Sequence, residues 1–105
     1  MKFLVISKPK YQVPPERVIP LIDAFMAYID KYEASGQLEM SWSYAGTDSG
    51  GGIANVDSLE ELDAIMQEYP FGPFSEVEII PLTDVKASIQ RTKEYAQMMF
   101  QQMGG

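Results

Sequence analysis

The sequence predicts an α+β domain: a four-stranded antiparallel sheet carrying two helices, with a third helix appended at the C-terminus. Three observations predict it. Apolar residues recur at steps of three and four in three stretches, as on helix faces, and short strand-like segments stand before, between and after the first two. These segments follow one another as β-α-β-β-α-β, the split arrangement of ferredoxin-like domains. The chain has 105 residues, 46% hydrophobic and 22% charged, as expected of a single folded domain.

Lys2–Ser7 is rich in β-branched and aromatic residues and predicts a buried strand. Lys8–Pro15 is a break, punctuated by Pro9, Pro14 and Pro15. Glu16–Ser35 places Val18, Leu21, Ile22, Phe25, Met26, Ile29 and Tyr32 on one helical face. Pro20 within it either follows a separate short turn or stands in the first turn of the main helix. Gly36 is the expected C-terminal cap. Gln37–Ala45 alternates, with Leu38, Met40, Trp42 and Tyr44 on one face of a strand.

Gly46–Gly52 is expected to be a turn or flexible loop, and Ile53–Val56 a short strand completing a hairpin. A phosphate-loop reading of Gly50-Gly51-Gly52 fails, because the run leads into a strand and no Lys-Ser/Thr follows. Ser58 and Glu61 form a capping box, opening a helix that turns Leu59, Leu62, Ile65, Met66 and Tyr69 inward and stops at Pro70. Phe74–Leu82 is the fourth strand. The final helix, from about Thr83 to Met103, has Val85, Ile89, Thr92, Ala96, Met99 and Met103 at alternating steps of four and three, as in a helix–helix seam. Residues 1–105 thus read as one domain, with a core over 1–82 and a helix over 83–103 expected at a subunit interface.

Composition narrows the chemistry. With no cysteine and no histidine, the chain has no disulfides, thiolate nucleophiles, imidazole bases or soft-metal sites, so no metal or cofactor is expected. A net charge of −7 argues against nucleic acid and anionic membranes as partners. The apolar run Phe3–Ile6 is too short for a signal peptide core, and a cytoplasmic location is expected.

Two helices cover one face of such a sheet and leave the other bare. Apolar residues of both parities occur in the fourth strand, Val77 and Ile79 against Ile80 and Leu82, so the bare face is expected to be apolar. Association with a second copy through the sheet, helped by the tail helix, is the expected remedy, giving a homodimer or a larger homo-oligomer.

Ser35-Gly36, Trp42, Gly46, the run Ile53–Leu62, Tyr69–Phe74 and Val77–Leu82 together resemble the muconolactone isomerase family in order and spacing. The resemblance implies a dimeric α+β barrel as building unit. It also implies an intramolecular proton shift in an unsaturated lactone from aromatic breakdown. Where the family carries charged and histidine side chains, this chain has Ile22, Phe25 and Met26 in the first helix and Met40 in the second strand. The helix after Leu82 is also longer than the resemblance implies.

Two functions fit. One is a cofactor-independent isomerase or cyclase acting on an unsaturated or aromatic compound. The other is a non-catalytic ligand-binding or accessory protein whose interior its own side chains fill. Phe25, Tyr28, Met40 and Trp42 are the candidate lining for a flat apolar ligand, with Tyr11 as a lid in the Pro-flanked loop. Each also fits a core, interface or surface role. Glu39 and Tyr44 are the candidate proton carriers: a strand carboxylate facing an apolar interior gains a raised pKa. Glu39 has opposite parity to Trp42, and it fits a solvent-facing position as well. Glu76 and Glu78 are further strand carboxylates with the same two readings.

Overall fold

The computed structural model describes residues 1–104. The element order is β1 (Lys2–Pro9), α1 (Pro15–Ser35), β2 (Leu38–Ser43), β3 (Gly50–Asn55), α2 (Leu59–Gln67), a 3-10 turn (Gly72–Phe74), β4 (Ser75–Leu82) and α3 (Val85–Gln102). The strands lie in the order β2-β3-β1-β4, with every neighbouring pair antiparallel. This is the βαββαβ sheet expected from the sequence. Phe3, Tyr32, Ala54, Val56, Leu62 and Ile65 form the buried core, between the sheet and the two helices α1 and α2.

Local chemistry explains the boundaries. Pro15 opens α1 at a position where no backbone N–H is needed. The helix then runs unbroken through Pro20, so neither expected role for that proline is found. Gly36 ends the helix in the left-handed region, at φ 81°, with its N–H donating to the Glu33 carbonyl. At α2 the Glu61 N–H donates to Ser58 Oγ at 3.1 Å, and the Glu61 carboxylate accepts from the Asp57 N–H at 2.7 Å. That backbone bond, with help from Gln37, holds the Glu61 carboxyl below its ordinary pKa. Leu59, expected inward, is exposed, because the first turn of α2 overhangs the core.

Two further expectations are corrected. The glycine run is not loop. The turn spans Tyr44–Ser49, closed by Tyr44 N–H to Ser49 O, and Gly50, Gly51 and Gly52 lie inside β3. Their backbone groups pair with Ser43, Trp42 and Ser41 on one side and with Ser7, Ile6 and Val5 on the other. Being central in the sheet, they satisfy the ladder without needing side chains. The second correction concerns β2. An irregularity between Leu38 and Met40 shifts the register, so Leu38 aligns with core residue Ala54, whereas Met40 and Trp42 align with Ile53 and Gly51. The single face expected for Leu38, Met40 and Trp42 is thereby split, and Tyr44 lies beyond the strand's end.

The face of the sheet away from the helices carries Leu4, Ile6, Ile53, Met40, Ile80 and Leu82. The helix α3 projects from the body. The Cα radius of gyration is 18.9 Å and the longest dimension 69 Å, against about 13 Å radius for a compact chain of this size.

Candidate functional site

A cavity of about 780 Å³ lies between the helix-bearing face of the sheet and α1. Its floor comes from β1 and β3. Val5 and Ser7 share register rows with Gly52 and Gly50, so two of the floor positions are bare backbone. A Cβ on Gly50 would stand 2.5 Å from the Trp42 carbonyl oxygen, and one on Gly52 would stand 2.9 Å from the Met40 carbonyl oxygen. The close approach of β2, joined at Gly52 by the Leu38 side chain at 2.9 Å, thus demands glycine at both positions.

The far wall is aromatic. The Phe25 ring lies 5.6 Å from Phe71, 5.8 Å from Tyr69 and 6.4 Å from Tyr28, centroid to centroid. These separations suit edge and tilted contacts, which fix the rings relative to one another. Tyr28 donates from its hydroxyl to the Ile65 carbonyl at 2.8 Å. Burial, with the neighbouring phenols Tyr32 and Tyr69, pushes the Tyr28 hydroxyl far above the ordinary phenol range. It is therefore a fixed neutral group and not a proton carrier near neutral pH.

Inside this wall the hydroxyls of Ser7 and Tyr69 meet at 2.7 Å. Both residues line the cavity, so the pair is a polar point beside the aromatic wall. The lining contains no lysine and no arginine, and Asp48, on the exposed Tyr44–Ser49 turn, is its one carboxylate. Two cations lie nearby without entering the lining. Lys10 Nζ sits 5.6 Å from the Tyr11 ring centroid, and the Arg17 guanidinium 5.3 Å from that of Phe74. Tyr32, at the inner end, donates to Glu68, which Lys31 also holds at 2.9 Å. The Tyr32 bond, ahead of the Lys31 bond, keeps the Glu68 carboxyl below its ordinary pKa, while burial and Glu68 raise that of Tyr32. Among the described residues no group of acidic side chains is arranged to hold a metal ion.

The candidate residues divide between two places. Tyr11, Phe25 and Tyr28 border the cavity. Trp42 reaches its rim, but its indole lies over Gly51 in the row of Ile6, on the helix-free face, so the expected ring wall does not include it. Glu39 lies elsewhere: its carboxylate is held by Lys2 at 3.1 Å and by Asn55 at 2.9 Å. Met40 and Tyr44 are exposed and outside the lining. Sequence reasoning passed over Ser7, Asp48, Tyr69 and the strand glycines. One signal was there: a serine ending the apolar run Phe3–Ile6.

Comparison with known proteins agrees with this architecture. The family model described as muconolactone delta-isomerase matches residues 1–88. The chain belongs to the muconolactone delta-isomerase family. A muconolactone delta-isomerase of Rhodococcus opacus is 35% identical over 57 residues, 54% of this chain and 61% of the relative. The crystal structure of a muconolactone isomerase superposes with a TM-score of 0.71 at 24% identity, over 80% of this chain and 90% of that one. The structure of 5-chloro-2-hydroxyhydroquinone dehydrochlorinase from Burkholderia phenoliruptrix, in complex with 2,5-dihydroxybenzoquinone, gives 0.59 at 20% identity, over 83% and 98%. Both likenesses establish the fold. The muconolactone delta-isomerase match stops at residue 88, so most of α3 lies beyond what the family model describes. No helix among the described residues is long and apolar enough to cross a membrane.

Proposed function

We propose that this protein is a cofactor-independent isomerase or cyclase of the cytoplasm, moving a proton within a small, flat, unsaturated or aromatic compound held in the cavity. The observation that carries the reading is the Ser7–Tyr69 hydroxyl pair, set in an aromatic chamber over a glycine floor. A planar ring fits against bare backbone at Gly50 and Gly52, with Phe25 and Tyr28 on the opposite side. The hydroxyl pair holds the substrate's carbonyl or hydroxyl oxygen, and stabilises negative charge there as a carbon-bound proton leaves. Asp48 is the carboxylate within reach of the mouth to carry that proton. Glu39 and Tyr44 lie off the cavity and take no part. The family membership, the relative named as a muconolactone delta-isomerase and the quinone in the dehydrochlorinase structure support a ring substrate.

The test is turnover of muconolactone and of hydroxylated quinones, monitored in deuterated water by NMR. Deuterium entering the ligand at a carbon position, and lost in Tyr69→Phe, is the expected result. Binding with no exchange for any of these compounds would remove the catalytic assignment. One observation favours that second reading, a ligand-binding or accessory protein: the chamber's interior carries no charged side chain, and Asp48 stands at its exposed end. The cavity is open, so an interior filled by its own side chains has no support.

We also propose that a second copy covers the helix-free sheet face. Leu4, Ile6, Ile53 and Ile80 make a continuous apolar patch there, of the kind that marks a partner site.

A further inference from the structure

The helix α3 is a rod about 27 Å long in which no residue is buried. Among the described residues its hydrogen bonds stay within the helix or reach its own cap, Asp84, whose carboxylate accepts from the Ala87 N–H at 2.9 Å. Ile89 is 63% exposed and Phe100 64%. Only Thr83 and Asp84 connect it to β4, and the Asp84 cap fixes its outward direction. The apolar stripe does not fold back on its own sheet, the situation from which copies exchange elements.

Charge says what the stripe meets. Three of the chain's 8 basic residues, Lys86, Arg91 and Lys93, lie on α3, against one of its 15 acidic residues, Glu94. Two α3 helices facing each other therefore repel, whereas the rest of the chain is strongly acidic. One surface of that body matches α3 in period as well as in sign. The outward face of α1 carries Glu16, Asp23 and Asp30 at steps of seven, with Ile19 (65% exposed) and Met26 (62%) between them, also seven apart. Lys86 and Lys93 flank the α3 seam at the same step. Residues seven apart lie almost on one line along a helix, so the two stripes can run together over two turns. Among the described residues, none of these five charged side chains is in an ion pair.

We propose that α3 is an assembly arm, seated along the outward face of α1 in a second copy of this chain. Apolar contacts from Ile89 and Ala96, also seven apart, meet Ile19 and Met26, with lysines opposite the aspartates. The opposite face of α1 carries Phe25 and Tyr28 into the cavity, so the arm braces that wall from behind. The proposal does not depend on the chemistry of the cavity.

The experiment uses two charge-reversed full-length chains, Asp23→Lys/Asp30→Lys and Lys86→Glu/Lys93→Glu. All four positions are exposed, and circular dichroism checks that each variant is folded. Sedimentation equilibrium measures association of each alone and of the two mixed. Each variant alone should lose one association step of the wild type, weakened by about tenfold or more, because like charges then face each other. The mixture should regain it, since each chain then offers the other a complementary helix. Raising the salt concentration should weaken the wild-type step as well. A wild type that stays monomeric at every concentration overturns the proposal. So do unchanged association in both variants, sensitivity confined to the α3 variant (which indicates α3–α3 pairing), and no recovery on mixing. Association through the sheet face is untouched by these charges and persists in every arm.

Discussion

Ser7 Oγ and the Tyr69 hydroxyl meet at 2.7 Å, tying the end of the first strand to the residue that follows the second helix. The contact spans 62 positions of sequence, and it sets a hydrogen-bonding point against a wall of Phe25, Tyr28 and Phe71. The proposed chemistry of this cavity is organised around that pair.

Tyr69→Phe and Ser7→Ala should each destabilise the fold by about 1 kcal/mol, the usual net worth of a part-buried hydrogen bond. Because both remove the same bond, the double variant should cost less than the sum. Denaturant unfolding of the four proteins measures this, and strict additivity would contradict a direct bond. Ligand affinity should fall in both single variants.

The glycine floor makes a sharper prediction. Gly50→Ala puts a methyl group 2.5 Å from a backbone oxygen that has no freedom to move. A loss of roughly 1–3 kcal/mol is expected, as for other forced overpacking. Gly46→Ala, at φ 76° on the turn and with open space around it, strains the backbone but meets no neighbour. Thermal melts of the two variants, with ligand binding alongside, separate backbone strain from a blocked cavity: only Gly50→Ala should lose the ligand.

Stability should fall at both ends of the pH scale, for reasons centred on Tyr32 and Glu68. The Glu68 carboxyl has its pKa lowered on folding from an ordinary 4.5, so its contribution is present above that pH and lost as pH falls through the folded value. Tyr32 behaves in the opposite sense. Its phenol is raised from 10.0, so the folded state keeps its advantage below pH 10.0 and loses it as pH rises beyond. Glu68→Gln should flatten the acid limb of a plot of Tm against pH, and Tyr32→Phe should flatten part of both limbs. An acid limb unchanged in Glu68→Gln would assign the loss to other carboxylates, Glu61 first.

Glu39 and Asp48 offer a direct comparison of two carboxylates. Glu39 is held by Lys2 and Asn55 away from the cavity, so Glu39→Gln should leave turnover and ligand affinity unchanged. Its effect on stability should stay under about 1 kcal/mol, as for exposed ion pairs. Asp48→Asn should lower turnover while leaving the melting temperature near that of the wild type. Steady-state kinetics with the compound found to exchange deuterium decides between them.

Much of the architecture was legible because it is written in local periodicity. The stripe Val18–Tyr32, apart from Met26, which turns outward and is 62% exposed, the Ser58–Glu61 cap, the Gly36 stop and the order of elements along the chain follow from spacing alone. Phe25 was legible as a cavity residue because a helix face identifies its inward side, and Tyr28, which is not on that stripe, because an aromatic ring suits a flat ligand. Glu39, Met40 and Tyr44 were not, because one irregularity between Leu38 and Met40 changes which residues share a face, and alternation in the sequence gives no sign of it. The glycines misled for a related reason. In isolation Gly46–Gly52 looks like a chain without structure, but Gly50–Gly52 are paired on both sides by strands that are distant in sequence.

The sequence by itself determined most of the helix and strand segments, Gly50–Gly52 excepted, and that one face of α1 is apolar, because these depend on neighbours a few residues apart. It also determined that no imidazole or thiol takes part, since the chain has none. Only the tertiary structure decided that Ser7 meets Tyr69, that bare backbone floors a cavity and that α3 stands clear of the body. Each of these depends on packing between segments far apart in the chain, and there a register shift or the closeness of a single carbonyl outweighs any local preference.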